Sequence, residues 1–517
     1  IALPRIAGIL DQFIVEQPYD ERERSWHPKI ALVAYTGPKG ETRWKLWIGS
    51  RNLTRSQDLD AGVLLDGSEK RAKGRVRLPG VGALGAILAR SASREDADGI
   101  GEQLEAIWWD APDGFQLRSL LNGLDEGVAL PSEPPACAVD GITIISPFLS
   151  PDFVKKAGDW GKAGSRTLIS SMPALTDMAR RPGKPLDGFS KILAYTAPDV
   201  LADEAPLALP GVEPASEDDA EPAPLALHAK IFCFHSGEKT ILRVGSANAT
   251  ERAWSGRNAE IMVELEAGEA FASGLAFLIG KATPVTIEEL AVADPPSTSA
   301  ADAMEESRKV LMASWNPVLR RVGERFSIDA GAVPLLAYPE HVLHAGPANG
   351  DLLAWQTDAV RLDLGTIPLS LQSAFIQARI SGPDGALRWM QRVTVDPPLE
   401  EQRDLAALAS HMGLRAFHDW MRAILSGDTL PVGGGAWDED AGVQSNRPQS
   451  LGYDRLTLED ILTAWARDRK AFGRADRHFA PYVDALLAHG ENLSEREKAD
   501  LNELAQIWAI ARTRLAS

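Results

Sequence analysis

Histidine stands two residues before lysine twice in this chain, as His27 with Lys29 and as His228 with Lys230. After an apolar stretch, each pair is followed by a Gly-Ser-x-Asn turn and a threonine, at 49–54 and at 245–250. A single His-x-Lys triplet is frequent by chance. The repetition of the whole series in the same order predicts a duplicated catalytic unit.

The residue types in the two copies suit a tetrahedral phosphate. Alternate side chains of a strand share a face, so we expect each histidine to lie beside its lysine. The apolar runs that follow, 30–33 and 231–234, predict central strands covered on both faces. The lysines, with Asn52 and Asn248, would neutralise and hydrogen-bond the phosphate oxygens, where one fixed donor can contribute about 3 kcal/mol.

Two imidazoles at one phosphate predict a two-step reaction. One histidine can attack phosphorus to give a covalent phospho-enzyme, while the other protonates the leaving oxygen and later activates water. This chemistry needs no metal ion and no cofactor.

This constellation resembles the phospholipase D superfamily, in which repeated His-x-Lys half-sites form one active site across a pseudo-twofold interface. The resemblance covers about residues 20 to 270. Most members carry an aspartate five residues after the lysine, but this chain has Ala34 and His235 there. The tyrosyl-DNA phosphodiesterase branch also lacks that aspartate, and residues 246–254 look like its second motif. In its motifs the chain thus resembles most the branch of tyrosyl-DNA phosphodiesterases and bacterial phospholipase D-like nucleases.

The resemblance implies roles for further residues. Acidic groups that follow each turn hold the histidine of the opposite half and fix its tautomer, as a carboxylate does in a serine-hydrolase triad. By that resemblance Glu260 braces His27, and Asp60 braces His228. The family's usual assignment makes His27 the nucleophile, although the residues alone do not distinguish the two histidines. The residues expected to bind substrate are Ser50, Ser246, Thr54, Thr250 and Trp254; Trp254 could stack on a base or simply pack in the core.

Composition limits the classes of protein. The chain has 517 residues, of which 44% are hydrophobic, and can bury several cores. Two irregularly spaced cysteines and the lack of an apolar stretch of about 20 residues predict a cytoplasmic protein without a membrane span. The net charge of −18 disfavours a simple nucleic-acid binder, but the basic segment 70–77 could track a phosphate backbone beside the first half-site.

The pattern along the chain predicts an α/β protein with two appended regions. We expect two pseudo-twofold-related phospholipase D-like α/β/α halves at 1–135 and 136–293, a β-rich, sandwich-like domain at 300–398, and a helical region at 399–517. A strand at 142–148, a helix at 151–161 and a strand at 166–170 open the second half. Only 26 residues precede His27, so we expect the first half to be incomplete at its N-terminus.

In the helical region, the periodicity predicts four helices, at 405–425, 458–472, 479–487 and 494–516. Ser494 and Glu497 fit a capping box at the start of the last one.

Three classes of function remain open at this point. The favoured one is a metal-independent phosphodiesterase that acts through phosphohistidine, a bacterial nuclease in DNA or RNA processing or antiphage defence. Its substrate would be nucleic acid, DNA before RNA, and its C-terminal region would bind a helicase, an ATPase or another protein partner. Lipid hydrolysis or transphosphatidylation is disfavoured by the missing aspartates and by the lack of an interfacial amphipathic helix. A non-catalytic phosphate-binding scaffold is disfavoured by the retention of both histidines.

Overall fold

A computed structural model describes most of the chain, namely residues 11, 14–15, 24–36, 41–52, 58–135, 139–195, 227–237, 239–292, 300–383, 385–400, 402–426, 456–489 and 493–515. Thr54, which we expected to bind substrate, lies outside these residues. The protein is a mixed α/β structure. It divides into two compact units, one formed by residues 17–204 and 218–297 and the other mainly by residues 298–517.

The first unit opens with a four-stranded antiparallel sheet. The elements in this part of the unit are β1 (Ser25–Trp26), β2 (Ile30–Thr36), β3 (Thr42–Gly49), β4 (Gly62–Ser68), α1 (Val81–Ser91), α2 (Ala97–Glu105) and β5 (Trp108–Asp110). The sheet order is β2-β3-β4-β5. Apolar residues alternate along β4, where Val63 and Leu65 are buried and Leu64 is exposed, as in a strand with one solvated face.

An eight-stranded mixed sheet forms the rest of this unit. Its strands run in the order β14-β9-β8-β7-β10-β11-β13-β6, with β7, β8 and β9 parallel. They are β6 (Phe115–Asn122), β7 (Gly141–Ile145), β8 (Arg166–Ser171), β9 (Lys191–Tyr195), β10 (Ile231–Ser236), β11 (Lys239–Gly245), β13 (Ile261–Ala267) and β14 (Thr283–Pro284). The short strand β12 (Asn258–Ala259) pairs with β1 outside this sheet. The helices are α3 (Pro151–Ala157), α4 (Met172–Arg180), α5 (Glu251–Trp254), α6 (Glu269–Gly280) and α7 (Ile287–Val292).

Both faces of the eight-stranded sheet are buried. One face of β10 contributes Phe232 and Phe234 to a core that also holds Phe153 of α3 and Leu175 of α4. The opposite face contributes residues to a core that also contains β3 of the first sheet. The strands β10 and β11 are therefore enclosed, as their continuous apolar sequences predict.

One expectation for this unit was wrong. The run 30–33 was predicted to be covered on both faces, but β2 is an edge strand of its sheet, and Val33 and Tyr35 are 51% and 38% exposed. Apolar composition therefore did not distinguish an edge strand from the central strand β10. In addition, β6 lies before residue 135 in sequence, yet it pairs with β13 in the sheet assigned to the second half.

The second unit contains two four-stranded sheets with the orders β19-β16-β15-β22 and β18-β17-β20-β21. Their strands are β15 (Val318–Val322), β16 (Arg325–Asp329), β17 (Val342–Pro347), β18 (Leu353–Ala354), β19 (Arg361–Thr366), β20 (Phe375–Gly382), β21 (Gly385–Arg392) and β22 (Thr394–Asp396). Leu319 and Ile328 of one sheet share a core with Ala345 and Ile380 of the other. The two sheets therefore pack face to face, and α8 (Ala300–Met312) and a 3₁₀ helix (Leu369–Leu371) accompany them.

Among the described residues, four helices follow the sheets: α9 (Gln402–Ser426), α10 (Leu458–Arg467), α11 (Arg469–His489) and α12 (Glu495–Leu515). Phe417, Tyr482 and Trp508 lie in their common core. The single helix predicted at 458–472 is broken at Asp468, whose extended backbone ends α10. The capping box is present, because the side chain of Ser494 donates to Glu497 and accepts from its backbone N–H. None of the helices in the described ranges combines the length and apolarity that a bilayer crossing requires.

A buried ion pair is expected to stabilise the first unit. Arg243 Nε donates to Glu264 at 3.0 Å, and its Nη1 donates to the carbonyls of Pro131 and Glu133, both at 2.8 Å. Replacing Arg243 by Met should lower the free energy of unfolding by about 3 kcal/mol, because Glu264 would remain charged and only partly solvated. Urea denaturation measures this. Lys162→Met, which removes an exposed pair with Asp140, is the control and should cost less than about 1 kcal/mol; equal losses in the two variants would contradict the prediction.

Candidate active site

The two histidine–lysine pairs lie just before β2 and β10, not within strands as predicted. Backbone pairing fixes the residue before each histidine. Trp26 pairs in parallel with Ala259, and His27 N–H donates to the Ala259 carbonyl at 3.1 Å. Leu227 forms a parallel bridge with Leu59, and His228 N–H donates to the Leu59 carbonyl at 2.8 Å. Each histidine is therefore attached to the segment that carries an acidic residue of the other copy.

Glu260 is the best-enclosed charged group of the site. Its side chain is 0% exposed. His27 Nδ1 lies 3.0 Å from one carboxylate oxygen and 3.2 Å from the other, Asn258 Nδ2 donates at 3.1 Å, and Ser246 Oγ donates as well. A carboxylate held on Nδ1 favours the tautomer that carries its proton there, which leaves Nε2 of His27 with a free lone pair.

Ser50 and Ser246 occupy matching positions in this network. Ser246 Oγ accepts from Ile261 N–H, and Ser50 Oγ accepts from Ala61 N–H, both at 3.0 Å. Ser50 donates to Asp60, as Ser246 donates to Glu260. Both serines are fully buried, and their hydrogen bonds hold carboxylates and strand ends. In this structure the two serines hold the acidic residues, and their binding of substrate stays a prediction.

Lys29 and Lys230 are buried ammonium groups. Lys29 Nζ donates to the His27 carbonyl at 2.7 Å, and Lys230 Nζ donates to the His228 carbonyl at 2.9 Å. Burial lowers the pKa of Lys29 from its ordinary value, and Glu260 partly opposes this. Burial, with the charge of Lys29, lowers the pKa of Lys230 from 10.5 to about 8, against the opposing charges of Glu260 and Asp60. Charged residues of both copies thus shift the pKa of the same lysine, Lys230.

His228 has a second carboxylate nearby, Asp58, besides the expected Asp60, whose charge also raises its pKa. Its Nε2 lies 3.6 Å from Asp58 Oδ2, while Asp60 accepts hydrogen bonds from Ser50 and from its neighbour Ala61. Arg51 Nε lies 3.9 Å from the same oxygen of Asp58. Sequence reasoning missed Asp58 as a site residue. The signal was the pair Asp58 and Asp60, which flank one residue and can therefore point the same way in an extended segment.

The two asparagines differ in environment. Asn248 is buried, and its Oδ1 has no hydrogen-bond partner among the described residues. Asn52 is exposed. Thr250 is half-buried and occupies the N-cap position of α5, where its side chain makes no capping hydrogen bond. Of these residues, Asn248 is the one with a buried polar group that a ligand could satisfy.

Trp254 does not have the place expected of a substrate contact. It is 3% exposed, stacks on Phe153 with ring centroids 5.8 Å apart, and meets Phe232 edge to face at 5.0 Å. Its Nε1 donates to the Asn248 carbonyl at 2.8 Å. Trp254 is therefore a core residue that supports the turn at Asn248, and it is not available to stack on a base.

The basic segment 70–77 follows the end of β4 opposite to Asp60. Because a strand rises about 3.3 Å per residue, the seven residues of β4 separate the segment from Asp60 by about 20 Å. We expected this segment to lie beside the first half-site. Its distance from Asp60 shows that it does not. The guanidinium groups of Arg71 and Arg77 lie 5.2 and 4.7 Å from the ring centroid of Trp108.

No protein-family model matches the chain, and no curated protein gives a significant match to it.

The lowered pKa of Lys230 predicts pH-dependent anion binding. Below about pH 8 the ammonium is charged, and above it the neutral amine replaces it, so the dissociation constant for sulfate should rise about tenfold per pH unit beyond that point. Sulfate keeps the same charge throughout, and calorimetry from pH 7 to 9.5 measures its binding. Lys230→Arg should flatten the profile, because arginine stays protonated.

Lys239→Arg is the matched control, since Lys239 is exposed and pairs with Glu266 at the far end of β11. Its sulfate profile should equal that of the wild type. Wild-type affinity that stays constant over this pH range would show that Lys230 does not bind the anion.

Proposed function

We propose that the chain is a metal-independent phosphodiesterase of the phospholipase D type, which forms a phosphohistidine intermediate and cleaves nucleic acid. One observation carries the proposal. Each histidine follows a residue that is paired with the acidic segment of the other copy, His27 beside Ala259 and His228 beside Leu59. A reciprocal exchange of this kind brings two half-sites together at one substrate.

Matched contacts support two halves related by duplication and a pseudo-twofold axis. Ile30 lies opposite Ile48, and Ile231 lies opposite Val244, so both strand pairs have the same register relative to lysine and glycine. The serine after each glycine donates to the acidic residue of its own copy and accepts the following backbone N–H. Chance resemblance of two triplets would not reproduce the surrounding hydrogen bonds.

In the first step that we propose, His27 is the nucleophile. Glu260 holds Nδ1, so the lone pair of Nε2 attacks phosphorus. The P–N bond forms as the bond from phosphorus to the leaving oxygen breaks, and that oxygen takes a proton from His228. Lys29 and Lys230 neutralise the charge on the non-bridging oxygens, in a buried environment where fixed charges act strongly.

In the second step, water releases the phosphate. His228, now neutral, accepts a proton from water while the water oxygen attacks phosphorus. The P–N bond breaks, and its electron pair returns to Nε2 of His27. The proton on Nδ1 of His27 stays on that nitrogen throughout, held by Glu260, so both histidines regain their starting states.

Nucleic acid is the substrate class that the surroundings favour. Arg71 and Arg77 beside Trp108 combine cationic and aromatic groups, which bind phosphates and bases. They lie about 20 Å along β4 from Asp60, a distance of about six base pairs of duplex. A polymer can contact both places, whereas a single phospholipid headgroup cannot.

Separate replacement of His27 and His228 by Asn tests the proposal. In the presence of a chelator, wild-type protein should cleave labelled DNA or RNA and leave phosphatidylcholine intact. His228→Asn should reduce cleavage about 10²–10⁴-fold, and His27→Asn should also abolish the alkali-stable, acid-labile phosphoryl label on the protein. His478→Asn, an exposed histidine of the other unit, should retain full activity.

The alternatives have distinct outcomes. Release of lipid headgroup without nucleic-acid cleavage would make the chain a lipid hydrolase. Phosphate binding without turnover of any of the three substrates would contradict an enzymatic role and support the scaffold.

A further inference from the structure

One face of the four-stranded sheet β2-β3-β4-β5 is open to solvent. Burial alternates along β3, where Leu46 and Ile48 are buried, whereas Lys45 and Trp47 lie on the opposite face and are partly exposed. Val33 of β2 lies opposite Lys45 and is 51% exposed. The matching face of β10 in the second copy is instead packed against α3 and α4. We call this face of the first sheet, with Val33, Lys45 and Trp47, the outer face.

Three aromatic side chains lie on the outer face. Strand register places Tyr35 opposite Arg43, Arg43 opposite Ser68, and Ser68 opposite Trp108, so Tyr35 and Trp108 lie in one row across the sheet. Trp47 lies four residues along β3 from that row, which is about 13 Å. The outer face therefore carries aromatic rings at both of its ends.

The indole of Trp47 lies over two glycines at the end of the sheet that carries the half-site. A Cβ atom on Gly49 would come within 2.2 Å of Trp47 Cζ2, and one on Gly62 within 2.9 Å of Trp47 Nε1. Gly49 and Gly62 lie opposite each other on β3 and β4, so together they leave the space that the indole occupies. Gly49 directly precedes Ser50, and Gly62 lies two residues after Asp60. Trp47 thus lies beside the half-site, where Trp254 was expected.

The other end of the outer face is cationic. The guanidinium groups of Arg71 and Arg77 lie near the ring of Trp108, and both arginines are exposed. Arg77 Nη1 also donates at 2.6 Å to the carbonyl of Glu105, which holds it in place. A guanidinium held beside an exposed ring can bind phosphate while the ring stacks on a base.

We propose that the outer face binds single-stranded nucleic acid, with Trp108 and its two arginines holding the strand at one end and Trp47 stacking on a base beside the half-site. The inference rests on the proposed function and deepens it. An unpaired strand offers the faces of its bases to aromatic side chains, whereas the bases of a duplex stack on one another. At 3.4 Å per stacked nucleotide, the distance of about 13 Å between the two ends corresponds to about four nucleotides.

The charges of the outer face favour a nucleic acid over an apolar helix. Lys45 lies four residues before Gly49, whereas the second copy has the buried Ile241 four residues before Gly245. Lys45 forms an ion pair with Asp66 on the outer face. A helix packed here, as α3 and α4 pack on the second copy, would remove that ion pair from water at a cost in free energy. A strand of nucleic acid lets these charges keep their contact with water.

Oligonucleotide binding tests this assignment. Fluorescence anisotropy can compare a labelled single strand with the same sequence as a duplex, both bound to His27→Asn protein so that the strand stays intact. The single strand should bind more tightly. Trp47→Ala and Trp108→Ala should each raise its dissociation constant about tenfold, as the loss of one stacked base does. Trp47→Phe and Trp108→Phe should restore most of the affinity, because phenylalanine keeps an aromatic ring.

Trp465→Ala is the matched control. Trp465 is half-buried in the other unit, with the guanidinium of Arg469 5.3 Å from its ring centroid, and its loss should leave binding unchanged. Trp47→Leu keeps an apolar side chain over the two glycines and should bind as weakly as Trp47→Ala. Single-strand affinity that the changes at Trp47 and Trp108 leave intact, or tighter binding of the duplex, would overturn the inference and make the outer face a surface for a protein partner.

Crosslinking locates the strand without turnover. 5-Iodouracil crosslinks under light to an aromatic ring that stacks on it, and mass spectrometry identifies the residue. Iodouracils about four nucleotides apart should label Trp47 and Trp108. Labelling of Trp47 in a protein that cleaves neither DNA nor RNA would sustain the inference and contradict the phosphodiesterase. Cleavage of nucleic acid without labelling of either tryptophan would sustain the phosphodiesterase and refute the role of the outer face.

Discussion

The buried carboxylate of Glu260 is the group on which the candidate site depends. A charge with no exposed surface is stable only when hydrogen bonds replace its water, and His27, Ser246 and Asn258 supply them. Of these partners, His27 lies 233 residues before Glu260 in the sequence. The pairing of β1 with β12 brings them together, because it attaches the backbone of His27 to Ala259, the residue before the carboxylate. The short pairing of β1 with β12 thus brings His27 and Glu260 together in the candidate site.

The two buried lysines impose the opposite demand. Burial lowers the pKa of both ammonium groups, and the charge of Lys29 lowers that of Lys230 further. Two like charges kept away from water are unfavourable, and the phosphate of the proposed substrate would relieve that cost. The carboxylates of Glu260 and Asp60 partly oppose the lowering of the Lys230 pKa. The hydrogen bond of Lys230 Nζ goes to the His228 carbonyl. Electrostatic preorganisation of this kind spares the reorganisation that water would require during the reaction.

The duplication that we propose, followed by divergence, would account for the remaining arrangement. The serine contacts and strand registers are the same in the two copies. The copies differ in charge at Asp58 and Asn258, in burial at Asn52 and Asn248, and in the strands that lie beside β2 and β10. The two-step reaction that we propose uses one neutral and one protonated ring at a time.

The sequence by itself determined the features that depend on local spacing. The repeated order of histidine, lysine, glycine and serine is visible in the sequence itself. Short-range periodicity predicts the strands β7 and β8, and a local hydrogen bond explains the capping box at Ser494. Tertiary structure decided the rest. Sequence could not tell the edge strand β2 from the enclosed β10, because both are apolar runs and their difference lies in which strands pair beside them. The burial of Trp254, the use of Ser50 and Ser246 to hold carboxylates, and the presence of Asp58 beside His228 arise from contacts between distant segments, which local patterns do not encode.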